Sequence, residues 1–527
     1  MFGMLILSSC DSKLLETEPT DSMSGSTFMS DATKALIPLN GIYRSMYTSG
    51  WSTTGNTHQC FGISAYNLMG EVMGDDFIMG AQGSGWFWFD AAYNVKGRYT
   101  SSSWRSYDLW MAYYTWIANA NYIIAAEETM GGSSEDVAYV IGQAYAIRAY
   151  SYFMLSQCFA RNYKYSSDPC VPIYNEPTST STVGKARSSV AEVYAQIDSD
   201  IDKAVELLAK SPAQRHPSHM GYAVALGLKS RIALVEEKWD DALNAAKAAI
   251  DASGCSILEV KDFIGLNDVS KGNVMWGAQI VSDQAGMYAS FMAHMDVNIA
   301  YGQRAPKQIS PWLYNKMSDT DARKGGLLKA ESDGSYSYSK SGGWWDPTNS
   351  KFSTGGYIQT KFNFSDLQTW TGDYIWMRVE EMYLNAAEAA CHKGDDATAK
   401  QYLMKLMSKR DPSYTCDALT GNGIAEITTQ FAKGSYENRS LLEEILIQRR
   451  LELWGEDGRI FTIRRLHQGF ERTQENGWPG GLLIPTHAAA AKDPASYLWV
   501  LTIPQAEFDG NENLNFDTDQ NPIGDYK

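Results

Sequence analysis

Four sets of residues in this chain have types and spacings that could do chemistry. Asp75 and Asp76 are paired carboxylates, the equipment of acid/base glycoside cleavage. Glu452 and Glu456 sit among Arg449 and Arg450, a second place for an acid/base pair. His216-Pro-Ser-His219 has the H-x-x-H spacing of a metal-ligand pair. The fourth set is aromatic: Trp86, Phe87, Trp88 and Phe89 run consecutively after Gly83-Ser84-Gly85, and Trp344-Trp345 follow Ser341-Gly342-Gly343. Flat rings flanked by small residues suit the apolar faces of sugar rings. Asp90 and Asp346 adjoin the two clusters and could accept bonds from sugar hydroxyls.

The first three sets weaken on inspection. Glycoside hydrolysis needs two carboxyl groups roughly 5–10 Å apart across a cleft. Adjacent residues on an extended loop, such as Asp75 and Asp76, are expected to point apart. His216 and His219 flank a proline, with no Cys or carboxylate beside them. Arg449, Arg450, Glu452 and Glu456 lie on a segment with apolar residues nearly all round it, which predicts a buried helix. Charges there must be paired and hydrogen-bonded, so they read as the ionic centre of a helical core. The chain has no G-x-S-x-G, no H-E-x-x-H, no P-loop and no G-x-G-x-x-G after a strand.

The aromatic set gains support from composition. The 527 residues include 16 Trp and 31 Tyr, more than core filling requires. Long aromatic loops on a rigid scaffold usually carry binding. Two regions lack helical period: 48–103, and 254–371, which holds Tyr288, Tyr301, Trp344 and Trp345. Strand-like alternation would place Trp86 and Trp88 on one side and Phe87 and Phe89 on the other. A concave aromatic site with few convergent polar groups is the general form of a small-ligand pocket. The ligand-binding candidates are therefore Trp86, Trp88, Trp344, Trp345, Tyr288, Tyr301, Asp90 and Asp346. A net charge of −16 excludes a generic nucleic-acid binder, which needs a basic patch, and favours neutral or cationic ligands.

The elements that must hold these loops are helical. Apolar periodicity predicts a helix over 31–47, capped by Ser30 or Asp31 and kinked or interrupted at Pro38, and another over 107–128. Three helix pairs follow: 137–159 with 190–210, 221–235 with 242–252, and 378–392 with 397–409. The last two share a small-residue helix, a short acidic turn and an Ala-rich helix, the arrangement of tetratricopeptide repeats. No cofactor is implied. Of seven cysteines, Cys10 stands apart. The other six are too widely spaced for a disulfide framework, and one bridge, Cys158–Cys170, stays open.

Residues 1–10, MFGMLILSSC, look like the end of a signal peptide with the lipobox Leu7-Ser8-Ser9-Cys10. Cys10 would carry the lipid that ties the protein to a membrane, and residues 11–30 would be the tether.

Three motifs taken together resemble the SusD/RagB family of Bacteroidota surface lipoproteins. RVEEMYLNAAEA (378–389) is similar to the family's R-x-x-E-x-x-L-x-x-A-E-A helix. RRLELWGEDGR (449–459), with Arg464–Arg465, is similar to its R-R-x-E-L-x-x-E-G-x-R segment, with Asp457 as one extra residue. LTIPQAEF with the closing QNPIGDY resembles the family's C-terminal L-x-x-I-P-x-x-E…N…Q-N-P-G-Y, with Asn521-Pro522-Ile523-Gly524 where the family has N-P-G. The resemblance implies a mainly α, SusD-like fold. Four divergent tetratricopeptide-type helix pairs would support a loop-rich, aromatic-rich binding subdomain. It implies an N-terminal helical region over 31–253, a loop-rich insertion over 254–371 and a C-terminal region over 372–527. It further implies a non-catalytic glycan-binding lipoprotein on the outer membrane's outer face, delivering its ligand to a SusC-like TonB-dependent transporter. Peptide cargo on the same fold and a helical glycoside hydrolase are the alternatives.

Overall fold

The computed structural model describes residues 28–49, 54–94, 104–263, 265–324, 328–330, 336–338, 357–424, 439–484 and 488–522. Cys10, Trp344, Trp345 and Asp346 lie outside the described residues.

The first helix, α1 (Ala32–Ser45), begins where the Asp31 side chain accepts the Thr33 N–H at 2.9 Å. It does not stop at Pro38. The proline sits on a half-exposed side, where the carbonyl it leaves unbonded can meet water. Next come α2 (Ile63–Val72), the single turn α3 (Trp88–Ala91), α4 (Trp104–Ile124), α5 (Ser134–Phe159) and α6 (Val190–Leu208). Ser189 opens α6 with a capping box: its hydroxyl accepts the Glu192 N–H while Glu192 accepts the Ser189 N–H. The pair α7 (Tyr222–Val235) and α8 (Trp239–Ser253) follows. After the short helices α9 (Phe291–Met295) and α10 (Ala300–Arg304) come α11 (Val379–His392) and α12 (Asp396–Met407). Then come α13 (Leu441–Glu452), opened by a second capping box on Ser440 and Glu443, and α14 (Arg459–Arg465).

The helices pack in succession: α4 on α5, α5 on α6, α6 on α7, α7 on α8, α8 on α11, and α11 on both α12 and α13. Short connections hold the pairs. Residues 236–238 join α7 to α8, and 393–395 join α11 to α12. In each the middle residue is left-handed, Glu237 with φ 59° and Gly394 with φ 77°. The sequence likeness of the two pairs therefore extends to the backbone of their turns. Small residues set the spacing elsewhere. A Cβ added at Gly142 of α5 would lie 2.8 Å from the Leu208 side chain, so α5 and α6 approach more closely than any other residue permits. A second apolar core is built by α7, α8, α11, α12 and α13 around Leu234, Leu384, Ala387, Leu403 and Ile445.

Strands are few and all antiparallel: β1 (Phe77–Met79) with β3 (Lys307–Ile309), β2 (Val274–Ala278) with β6 (Tyr374–Arg378), and β4 (Leu328–Ala330) with β5 (Tyr336–Tyr338). The pairing of β1 with β3, in the register Phe77↔Ile309 and Met79↔Lys307, has the largest consequence. It brings the loops of 48–103 against those of 254–371. All six cysteines of the described residues are free, and Cys158 and Cys170 are buried thiols rather than a bridge. Among the described residues no helix is long and apolar enough to cross a membrane.

Candidate functional site

The acidic and basic residues of α13 lie in a buried network. The Glu452 carboxylate receives the guanidinium groups of Arg410 (2.8 Å), Arg378 (3.1 Å) and Arg323 (3.3 Å). Burial alone would raise its pKa. Three arginines outweigh burial and hold it well below the usual carboxylate range. Glu456 takes Arg378 at 2.8 Å and the Lys361 amine at 2.6 Å. Arg449 pairs with Glu388 at 3.1 Å. Burial raises the Glu388 pKa, but Arg465 and Arg449 bring it down to about 2. The turn out of α13 uses left-handed Gly455 (φ 82°) and Gly458 (φ 76°), which keep Glu456 pointed into this centre.

Asp75 and Asp76 belong to the same network, and here the expectation needs correcting. They do not point apart. Both converge on Arg450 and Arg459, with Asp76 at 2.5 Å from Arg450 and Asp75 at 2.8 Å from Arg459. The chain there turns into β1, and two arginines from the far end of the sequence close over both carboxylates. Every one of these acids is engaged, so none is poised to move a proton to a substrate. His216 and His219 are engaged too. His219 bonds the Tyr139 hydroxyl at 3.0 Å and Asn40 at 2.8 Å, and His216 bonds Ser218 at 2.8 Å.

The aromatic candidates behave differently. Gly83 and Gly85 adopt φ of 55° and 84°, and their loop lies against Ala305, the residue after α10. The loop delivers Trp86 onto His58, with ring centroids 5.1 Å apart and planes 18° from parallel. Tyr301 stands edge-on to both, 5.8 Å from His58 and 6.0 Å from Trp86. Its hydroxyl bonds His58 Nδ1 at 2.9 Å. Tyr288 closes the group 5.3 Å from Tyr301 and is 48% exposed, while Trp86, His58 and Tyr301 are half-buried. Beneath them His294 stacks on Tyr301 at 5.0 Å and bonds the His58 carbonyl at 2.6 Å. Burial pulls the His294 imidazole down to about 3, so it is a neutral support at any physiological pH. Burial pushes the Tyr301 hydroxyl up, with the Trp86 indole acting the other way. Trp86 Nε1 is nonetheless covered and makes no hydrogen bond of acceptable geometry. The result is a half-open platform of four rings held from below.

Trp86, Tyr288 and Tyr301 are thus brought together from two distant stretches of sequence. Trp88 and Asp90 are not part of the assembly. Phe87 is left-handed, with φ 61°, and residues 88–91 form a helical turn rather than an extended strand. Trp86 and Trp88 are therefore not on one side. The Trp88 ring lies over Gly481, where an added Cβ would come within 3.2 Å of it. Asp90 is fully buried and makes a bidentate pair with Arg105 at 2.8 Å on both oxygens, so it is committed to the arginine and out of reach of a sugar. His58 was missing from the candidates. A lone histidine in a Gly-Asn-Thr-His-Gln loop carries no spacing signal, and only the fold shows that it joins the two loops.

Comparison with known proteins bears on the family and the fold. Residues 67–234 match a family model described as starch-binding and associating with the outer membrane, and residues 292–523 match the SusD family model. Among curated proteins none matches the chain. Solved structures match over nearly the whole length. A SusD-like carbohydrate-binding protein from Bacteroides vulgatus is 23% identical, with a TM-score of 0.72, covering 94% of this chain and 99% of that one. A SusD superfamily protein from Bacteroides thetaiotaomicron is 21% identical, with a TM-score of 0.69, covering 93% of this chain and 100% of that one. With the two models matching successive parts of its sequence and the helical fold shared throughout, the chain belongs to the SusD/RagB family.

Proposed function

We propose that the protein is a non-catalytic glycan-binding lipoprotein of the outer-membrane surface, which captures an oligo- or polysaccharide and delivers it to a SusC-like TonB-dependent transporter. The observation that carries this reading is the platform of Trp86, His58, Tyr288 and Tyr301, open on one side and rigid beneath. Family membership supports the ligand class, since one matching model is described as starch-binding and one similar structure as carbohydrate-binding. A non-catalytic role is supported by the commitment of Asp75, Asp76, Glu452 and Glu456 to arginine or lysine partners. The lipid anchor at Cys10 and the transporter partner follow from the lipobox and the family. Trp344, Trp345 and Asp346 are proposed to add to the site from the second loop region.

The test is a glycan array on the purified protein, followed by calorimetry of the best ligand with the parent and with Trp86→Ala. Selective glycan binding that the variant loses, at unchanged melting temperature, supports the reading. No glycan binding, or full affinity in Trp86→Ala, refutes it. Palmitate labelling of the full-length chain and of Cys10→Ala tests the anchor separately.

A further inference from the structure

The polar groups around the platform are unevenly matched. Arg304 lies on α10 three residues after Tyr301, on the same side of that turn. It is exposed and among the described residues has no ion-pair or hydrogen-bond partner, and its charge acts on the Tyr301 hydroxyl. Among the described residues His58 Nε2 and the Tyr288 hydroxyl have no hydrogen-bond partner either. When the Tyr301 hydroxyl donates to Nδ1, Nε2 carries the proton and is a donor. At the start of β3 the Lys307 amine is buried and among the described residues donates to the Ala305 carbonyl alone, at 2.6 Å, without an ion-pair carboxylate; its charge acts on His294 beneath the platform. Burial draws that amine down to about 7, so it still supplies part of a positive charge at neutral pH.

Uncommitted carboxylates are scarce. In the described parts of 54–94 and 281–305 the acids are Glu71, Asp75, Asp76, Asp90, Asp283 and Asp296. Asp75, Asp76 and Asp90 are held by arginines, Glu71 accepts the Gly458 N–H, and Asp296 accepts the Phe364 and Asn298 N–H groups. Asp283 is the remaining exposed one. A site for a neutral sugar offers donors and acceptors together. This one offers rings, neutral groups such as the Tyr288 hydroxyl that can donate and accept, and beyond those a guanidinium with no ion-pair partner among the described residues.

From this imbalance, and resting on the glycan-binding reading above, we propose that the ligand is an acidic glycan, with Arg304 receiving a uronate-type carboxylate while the sugar ring stacks on the Trp86–Tyr288 face. The overall charge of −16 pointed to neutral or cationic ligands. Recognition is decided by the local field, and opposite charge at a site gives selectivity and salt dependence.

The experiment uses a panel of acidic oligosaccharides (oligogalacturonate, hyaluronan, alginate and heparin fragments), each beside its carboxyl-reduced, neutral form. Affinities are measured by calorimetry at 50 mM and 500 mM salt for the parent, Arg304→Gln and Trp86→Ala, with melting temperatures for all three. At least one acidic member should bind tenfold or more tighter than its reduced form at low salt. That advantage should shrink at high salt and in Arg304→Gln, while Trp86→Ala weakens both forms. Equal binding of acidic and reduced forms, or no binding to any acidic member, overturns the proposal. An acid preference that Arg304→Gln leaves intact overturns the role of Arg304. Neutral forms that bind through Trp86 without any acid preference leave the glycan-binding reading standing and remove only this inference. Full binding in Trp86→Ala removes the reading itself.

Discussion

The ionic centre around α13 and the aromatic platform are both rich in residues that could do chemistry, and they differ in saturation. In the centre each named charge has a partner: Glu452 takes three arginines, and Asp75 and Asp76 share two. On the platform the rings are buttressed, but Arg304, His58 Nε2 and the Tyr288 hydroxyl have no hydrogen-bond partner among the described residues. A saturated polar network holds a fold, because removing any member leaves its partner unsolvated. An unsaturated surface over a rigid base keeps its bonding capacity for a ligand.

The largest expected effect breaks the centre. Glu452→Ala leaves Arg410, Arg378 and Arg323 buried without their shared carboxylate. Removing one partner of a buried pair costs about 3–5 kcal/mol. The melting temperature should fall by many degrees, while whatever protein remains folded keeps its ligand preference. A stable variant that had lost binding would move function into the centre.

Trp86→Ala does the opposite. A dominant aromatic anchor is worth about 2 kcal/mol, or roughly thirtyfold in affinity. The ring is only half-buried, so stability should hardly change. Calorimetry and a melting curve on the same sample separate the two outcomes.

The contrast also explains what the sequence could disclose. Helices were legible because 3.6-residue periodicity and capping residues such as Asp31, Ser189 and Ser440 are local. The pairing of Arg449, Arg450, Glu452 and Glu456 was legible because burial of a charge admits few solutions. The partners were not. Asp76 and Arg450 are 374 positions apart, and nothing in either neighbourhood points to the other. The platform was legible in part, since clustered tryptophans after glycines stand out. Its membership was not, because one left-handed residue, Phe87, replaced the assumed strand and turned Trp88 and Asp90 away. Pro38 shows a second limit: local propensity predicts a kink or an interruption, and the helix runs on past it to Ser45.

Asp457, the residue extra to the family pattern, is where the centre is least saturated. It lines a cavity of about 80 Å³ with Arg231, Glu381 and Arg449, and has no hydrogen-bond or ion-pair partner among the described residues. Burial raises its pKa to about 6; Arg449 lowers it and Glu381 raises it. An unfolded aspartate titrates near about 3.9, so the folded state resists ionisation. The cost is fully present above about pH 6, fades as pH falls and is gone below about 4. Asp457→Asn should therefore stabilise the protein by roughly 1–2 kcal/mol at pH 7.5, allowing for water in the cavity, and by nothing at pH 3.5. Melting curves across that range give the answer. An equal effect at both pH values would mean that packing rather than charge is responsible.

The smallest expected effect sharpens the border of the platform. Trp88 is adjacent in sequence to the loop that carries Trp86, and alternation would have made the two rings one surface. The left-handed Phe87 between them and the helical turn that follows send the Trp88 ring to Gly481 instead. A residue that touches no ligand changes affinity only through the scaffold, and α3 is held independently of Trp88. The Asp90 carboxylate is anchored on Arg105, and the Phe87 N–H donates to Gln59 at 2.6 Å. Trp88→Ala should accordingly alter glycan affinity by less than about twofold, well below the thirtyfold of a direct anchor. It should lower the melting temperature slightly through lost packing over Gly481. If Trp88→Ala instead weakens binding as strongly as Trp86→Ala at full stability, the ligand spans both rings, and the platform extends from His58 across to Gly481.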